Sequence, residues 1–235
     1  MKLENVMQEL EALGTEQTKR TLIRHGAMEP VSGVKIGDMK KLVKAVKKDQ
    51  ALAAKLYETG HYDAMYLAGL TVDPGQVTKP MLQSWVKSAY CYTLAEYTVA
   101  NLAAESAYGV ELAREWIDSE EEFVATCGWS TYANYLSVTP DEELDLTEIR
   151  GLLKRVRETI HEQPNRVRYT MNMFVICTGS FVEALHEEAE DAAKQIGAVR
   201  VNMGDTACKV PLAAEYIRKV EAAGKRGVKK KTCIC

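Results

Sequence analysis

Proline is scarce, at six in 235 residues, while alanine, leucine, glutamate and lysine dominate. That balance favours helices over the turn-rich pattern of an all-β chain. Long apolar runs are missing: no stretch reaches the roughly 18 residues that a membrane-spanning helix needs. The opening MKLENVMQELEAL reads as an amphipathic helix rather than a secretion signal. We therefore expect a cytoplasmic protein that does not use a membrane. Also missing are a Gly-rich phosphate loop, a His-Glu-x-x-His helix and a nucleophile elbow, so the enzyme classes built on those signatures are disfavoured. Histidine is rare, and neither His161 nor His186 has a partner at a spacing that suggests metal or a proton relay.

Cysteine is present but not arranged as a framework. Cys91, Cys127, Cys177, Cys208, Cys233 and Cys235 lie mostly within apolar helical pattern, which reads as reduced thiols. Cys208, Cys233 and Cys235 supply three thiolates where a structural zinc site takes four ligands. No metal and no cofactor is expected.

What the chain does contain is helical periodicity from end to end. Val6, Met7, Leu10 and Leu13 recur every three or four positions and Gly14 follows as a stop. A second helix runs through Thr18, Leu22 and Ile23 to His25, and the loop GAMEPVSGVKIG comes next. Asp38 is the expected cap of a basic helix, Met39 to Lys47, with Leu42, Val43 and Val46 inward. Further helices are expected on either side of Gly60, at Met81–Lys87 and Cys91–Ala104, at Tyr108–Ile117 and Glu121–Val138, and at Ile149–His161. After these come one opened by Pro164 and closed by Gly179, and another at Phe181–Ile196. Helices returning about every twenty residues suit helix-pair repeats that bury their faces by stacking. A compact bundle would give the same periodicity, since no exact internal repeat is visible. We expect one domain over residues 1–228 and a flexible, basic, Cys-containing tail over 229–235.

The net charge of −3 argues against a protein that coats nucleic acid by bulk electrostatics. Its distribution is uneven. Lys35, Lys40, Lys41, Lys44, Lys47 and Lys48 form one basic block. Arg150, Lys154, Arg155, Arg157, Arg166 and Arg168 form a second, and Arg218 to Lys231 a third, in which Lys229, Lys230 and Lys231 are the candidate phosphate contacts. Such blocks are the footprint of a surface that tracks a phosphate backbone. The alternative is that each is an ordinary solvated helix face. An acidic face at Glu183, Glu187, Glu188, Glu190 and Asp191 would repel phosphate.

The stretch WVKSAYCYTLAEYTVANL, Trp85 to Leu102, carries the candidate chemistry. Read as helix, it puts Tyr92 and Glu96 four apart on one face, a carboxylate beside an aromatic ring that can stabilise a cation or position water. The plainer reading has Tyr92 packed against a neighbouring helix and Glu96 solvated.

Four stretches together resemble the bacterial DNA alkylation repair family of HEAT-like repeat proteins, whose best-known members are AlkD-type alkylpurine DNA glycosylases. They are GVKIGDMKKLVKAV (33–46), LYETGHYDAMYLAGLTVDP (56–74), the Trp85–Leu102 stretch, and GDTACKVPLAAEYIRKV (204–220) with the terminal KKKTCIC. The resemblance implies an all-α fold of HEAT-like repeats stacked into a curved solenoid with a concave groove. It also implies a DNA-binding surface at the loop and basic helix near residue 35, and excision of N3- or N7-alkylated purines. The family's central helix looks like Trp-x-x-x-Asp, its carboxylate stabilising the sugar cation. Tyr92 and Glu96 stand at those positions here. The family's active-site Arg falls at Thr126 and its later Trp at Met173, so all four positions differ. Glu is one methylene longer than Asp, and a misplacement of about 1 Å can cost about a hundredfold in rate. Two readings follow. In one, the chain is a glycosylase with Glu96 as the catalytic carboxylate and Tyr92, Trp85 or Trp129 as aromatic walls. In the other it is a non-catalytic protein binding DNA, or a protein partner, through the same scaffold.

Overall fold

The computed structural model describes residues 1–46 and 49–234, and among them every regular element is a helix. Lys47, Lys48 and Cys235, named above, lie outside the described residues. The chain forms two compact units: one from Met1 to Tyr108 with Gly204–Thr206 and Ile234, the other from Gly109 to Met203 with Ala207–Cys233.

The first unit opens with α1 (Leu3–Leu13), which ends at Gly14 as expected, and α2 (Glu16–Arg24), capped by Thr15. Then come α3 (Ile36–Val46), α4 (Gln50–Glu58), α5 (Tyr62–Thr71) and α6 (Lys79–Ser88). The Asp49 carboxylate accepts from Leu52 N–H, and the Thr78 hydroxyl from Met81 N–H, each satisfying a donor that the first turn leaves free. Nine of the ten residues of α5 are buried, so this helix is the unit's interior post. Two expectations need correction. Asp38 sits inside the first turn of α3, which begins two residues earlier, and its carboxylate pairs with Lys41 at 3.0 Å instead of capping. The Trp85–Leu102 stretch is not one helix. It breaks after Ser88 and resumes as α7 (Tyr92–Leu94), a π-helical turn over Ala95–Val99, and α8 (Ala100–Ala104). Trp85 is thereby on a different element from Tyr92 and Glu96. The π turn matters because such bulges re-aim side chains and occur often at functional sites.

The second unit holds α9 (Gly109–Ile117), α10 (Glu122–Val138), α11 (Leu146–Thr159), α12 (Asn165–Phe181), α13 (His186–Ile196) and α14 (Ala213–Ala222). Helix α12 runs through Gly179, the expected stop, and Ile217 of α14 packs there: a Cβ on Gly179 would lie 2.7 Å from its Cδ1. The helix expected from Phe181 starts only at His186, after a short 3-10 turn. Helices α10 and α12 are buried on most sides and meet through Trp129, Tyr132 and Phe174, whose rings pack edge-to-face at 5.3 and 5.7 Å.

Candidate functional site

In the first unit the loop before α3 is held from beneath by a single buried carboxylate. Asp63 of α5 is fully enclosed and accepts the backbone N–H of Ser32, Gly33 and Val34 at 2.8, 3.2 and 2.8 Å. His61 adds a hydrogen bond between its Nε2 and the Ser32 hydroxyl at 3.0 Å. Burial holds the His61 imidazole below its ordinary range, against the opposing pull of Asp63. Gly33 is required by geometry: its φ is +81°, and a Cβ would lie 2.4 Å from the backbone nitrogen of Lys19. The Lys19 ammonium in turn pairs with Glu29 at 2.7 Å, and that hydrogen bond holds the Glu29 carboxyl below its ordinary value. Val31 and Val34 are buried. This immobilised loop leads directly into Lys35 and α3.

Along α3, Met39, Leu42 and Val46 face the core, with Val43 only half-buried, while Lys35, Lys40 and Lys44 are exposed and have no ion-pair partner among the described residues. The other two basic blocks differ. Arg155 pairs with Asp118 at 2.6 Å, Arg150 with Glu188 at 2.9 Å, and Arg157 weakly with Glu158 at 3.5 Å. Arg166 is buried with its guanidinium 3.9 Å from the centre of the Tyr169 ring, and its backbone N–H bonds Glu122. Arg168 donates to Asn165. In the third block Arg218 pairs with Glu190, and Arg226 with Glu183 and Glu221. Lys229 bonds both Asp141, at 2.7 Å, and the Leu136 carbonyl. The flexible-tail expectation fails at this point, because Lys229 is anchored and Cys233 is buried against the Ser137 hydroxyl. Lys230 bonds the Ser137 carbonyl through its backbone and lies over Phe181, leaving its side chain and Lys231 exposed.

The residues expected to carry out excision lie on different elements and in different surroundings. Glu96, on the π turn, is only 4% exposed rather than solvated. The Tyr92 hydroxyl shares a short hydrogen bond with Nδ1 of His25 at the end of α2, and the two rings meet edge to face. Trp85 is buried flat against Tyr57, with ring centres 4.0 Å apart, and the Tyr57 hydroxyl donates to the Trp85 carbonyl. Those two rings border an open pocket of about 730 Å³ lined also by Met28, Met81, Glu58 and Tyr90; burial pushes the Tyr90 hydroxyl up to about 12. In the second unit Trp129 is 1% exposed, enclosed by Phe174 and with the Arg155 guanidinium 5.7 Å from its ring. It is core, not an aromatic wall. Thr126 is also fully buried, its hydroxyl without a hydrogen-bond partner, and Met173 packs on the same core.

A model of the family described as DNA alkylation repair enzyme matches residues 6–195. The chain belongs to the DNA alkylation repair family. Proteins similar to it over nearly their whole length are Lmo0209 of Listeria monocytogenes and Lin0241 of Listeria innocua. Each is 36% identical over 217 residues, 90% of this chain and 93% of the relative. A solved structure described as a new family of proteins related to the HEAT-like repeat DNA glycosylases, with affinity for branched DNA structures, matches 100% of both chains. It is 39% identical, with a TM-score of 0.93. The all-helical, HEAT-like fold expected from the resemblance is therefore present. No helix among the described residues is long and apolar enough to cross a membrane.

Sequence reading missed two residues of this family member. His25 appeared only as a helix end, because nothing local announces a partner 67 positions away. Asp63 lay unremarked within LYETGHYDAMYLAGLTVDP, although an acidic residue inside an otherwise apolar helix was a usable signal of a buried acceptor.

Proposed function

We propose that this protein binds DNA, with a preference for branched forms, through the exposed lysines at and along α3, and that it does not excise alkylated bases. The observation that carries the reading is that Lys35, Lys40 and Lys44 stand unpaired at and along α3, directly after the loop that Asp63 holds, while Arg150, Arg155, Arg157, Arg218, Arg226 and Lys229 of the other basic blocks are paired with carboxylates. Unpaired, pre-positioned lysines reach phosphates without first breaking an ion pair. The full-length likeness to a protein with affinity for branched DNA supports the same ligand. Against excision stand the enclosed Glu96, the Tyr92 hydroxyl engaged by His25, and the burial of Trp129 and Thr126.

Two measurements test the proposal. Lys40→Gln and Lys44→Gln should each weaken binding to a four-way junction and reduce the slope of log K against log salt by about 0.9. A partner contact that is not nucleic acid would leave wild-type binding nearly unchanged by salt. Release of 3-methyladenine or 7-methylguanine from alkylated duplex, with protein in excess, should be absent in the wild type as in Glu96→Gln. Release by the wild type that disappears in Glu96→Gln would overturn the non-catalytic reading.

A further inference from the structure

Phosphate contacts position a protein on DNA but do not distinguish a branch from a linear duplex. If the reading above holds, something beside the lysines must sense the branch point. What a branch point offers and the interior of a duplex does not is the apolar face of a base pair that has lost, or easily loses, its stacking neighbour.

The surface around the unpaired lysines carries an apolar group suited to that face. Ile36, the first residue of α3, is 45% exposed. At helical spacing Ile36, Lys40 and Lys44 follow one another at intervals of four, so they form one stripe that starts beside the buried Met39 and turns away from Leu42 and Val46. Each step is about 6 Å along the axis, which sets the isoleucine about 12 Å from the farther lysine. Lys35 precedes it directly. Gly37 follows, and a Cβ there would meet nothing within 4 Å, so the backbone beside Ile36 is open to close approach.

The tip is also rigid. Three backbone N–H groups of Ser32–Val34 are fixed on Asp63, Tyr62 N–H bonds the Pro30 carbonyl at 3.0 Å, and Val31 and Val34 are buried. An isoleucine on a flexible loop would lose much of its contact energy in being ordered; here the ordering is already complete in the free protein. Single exposed apolar residues are common and ordinarily need no account. Ile36 differs in being held rigidly in line with two unpaired lysines.

We propose that Ile36 is the branch-sensing residue, packing on the exposed base-pair face at the branch point while Lys40 and Lys44 hold the phosphates of the adjoining arm. Apolar side chains that wedge at a base step act in this manner wherever stacking is already weakened. The inference rests on the DNA-binding reading and adds to it the residue that gives selectivity.

The test compares binding of a four-way junction and a linear duplex of equal length, for the wild type, Ile36→Ala, Ile36→Leu and Lys40→Gln. Ile36→Ala should weaken junction binding about tenfold, equivalent to about 1.4 kcal/mol, and leave duplex binding unchanged. Ile36→Leu should retain most of the preference, and Lys40→Gln should weaken both ligands alike. Because Ile36 is half exposed, melting curves of the variants should overlay the wild type. Equal losses on junction and duplex in Ile36→Ala, or no loss on either, would overturn the assignment while leaving the DNA-binding reading intact. Failure of the wild type to bind either DNA would instead overturn that reading, and the role of Ile36 with it.

Discussion

Replacing Asp63 by alanine tests whether one buried carboxylate sets the position of the basic helix. The substitution removes the acceptor of three backbone N–H groups. Ser32 is partly exposed and its N–H can turn to water, whereas Gly33 and Val34 are buried and theirs cannot. Two stranded donors cost about 1–3 kcal/mol each, which gives roughly 2–6 kcal/mol. That is a large share of a total stability of about 5–15 kcal/mol. At roughly 2–4 °C per kcal/mol for a chain of this size, the melting transition of the first unit should fall by about 10 °C. Asp63→Asn, which keeps one acceptor, should fall less. The local assay is hydrogen exchange at Ser32, Gly33 and Val34, whose amides should exchange far faster in Asp63→Ala than in the wild type. Junction affinity should fall with it, although Asp63 itself is enclosed and cannot touch DNA. A melting shift under about 3 °C with unchanged exchange at Gly33 and Val34 would show that the loop is held by its apolar contacts alone and that Asp63 does not set the position of the basic helix.

Two further outcomes follow from the same geometry. Gly128→Ala places a Cβ 2.5 Å from the Ile117 nitrogen and 2.8 Å from the Trp116 carbonyl carbon, both backbone, so α9 must move off α10 at a cost of about 1–3 kcal/mol. Gly151→Ala, in the open on α11, should instead stabilise by up to about 1 kcal/mol, and a pair of melting curves compares them. Acidification should loosen the first unit through His61. Its folded-state pKa lies below the ordinary 6.5, so the unfolded chain binds the proton more readily, and stability is retained above pH 6.5 and lost as pH falls from there through the lowered value. Urea midpoints at pH 7.5, 6.5 and 5.5 should show that decline in the wild type and a smaller one in His61→Gln.

Periodicity carried most of the helix assignments because apolar spacing is a local property. It ended α1 at Gly14, set α4 and α5 on either side of Gly60, and opened α12 at Pro164. It failed at Gly179, where glycine serves close packing by Ile217 rather than a stop. Across Trp85–Leu102 it placed the break between Met81–Lys87 and Cys91–Ala104, but not the π-helical turn inside the second helix. The candidate site was less legible. Trp129 and Arg155 carry no local mark of being core and ion-paired, since the partners, Phe174 and Asp118, lie 45 and 37 residues away in sequence.

By itself, then, the sequence determined the helical class, most helix limits, the family and the positions of the basic blocks. Each follows from residue types and from spacings within a few turns. Only the tertiary structure decided which charges remain free. Pairing between segments distant in sequence neutralises Arg150, Arg155 and Lys229 and leaves Lys35, Lys40 and Lys44 unpaired. It also decided that Glu96 and Trp129 are enclosed and that Asp63 is a buried anchor. Burial and pairing depend on which distant segments pack together, and linear order does not encode that in any single stretch.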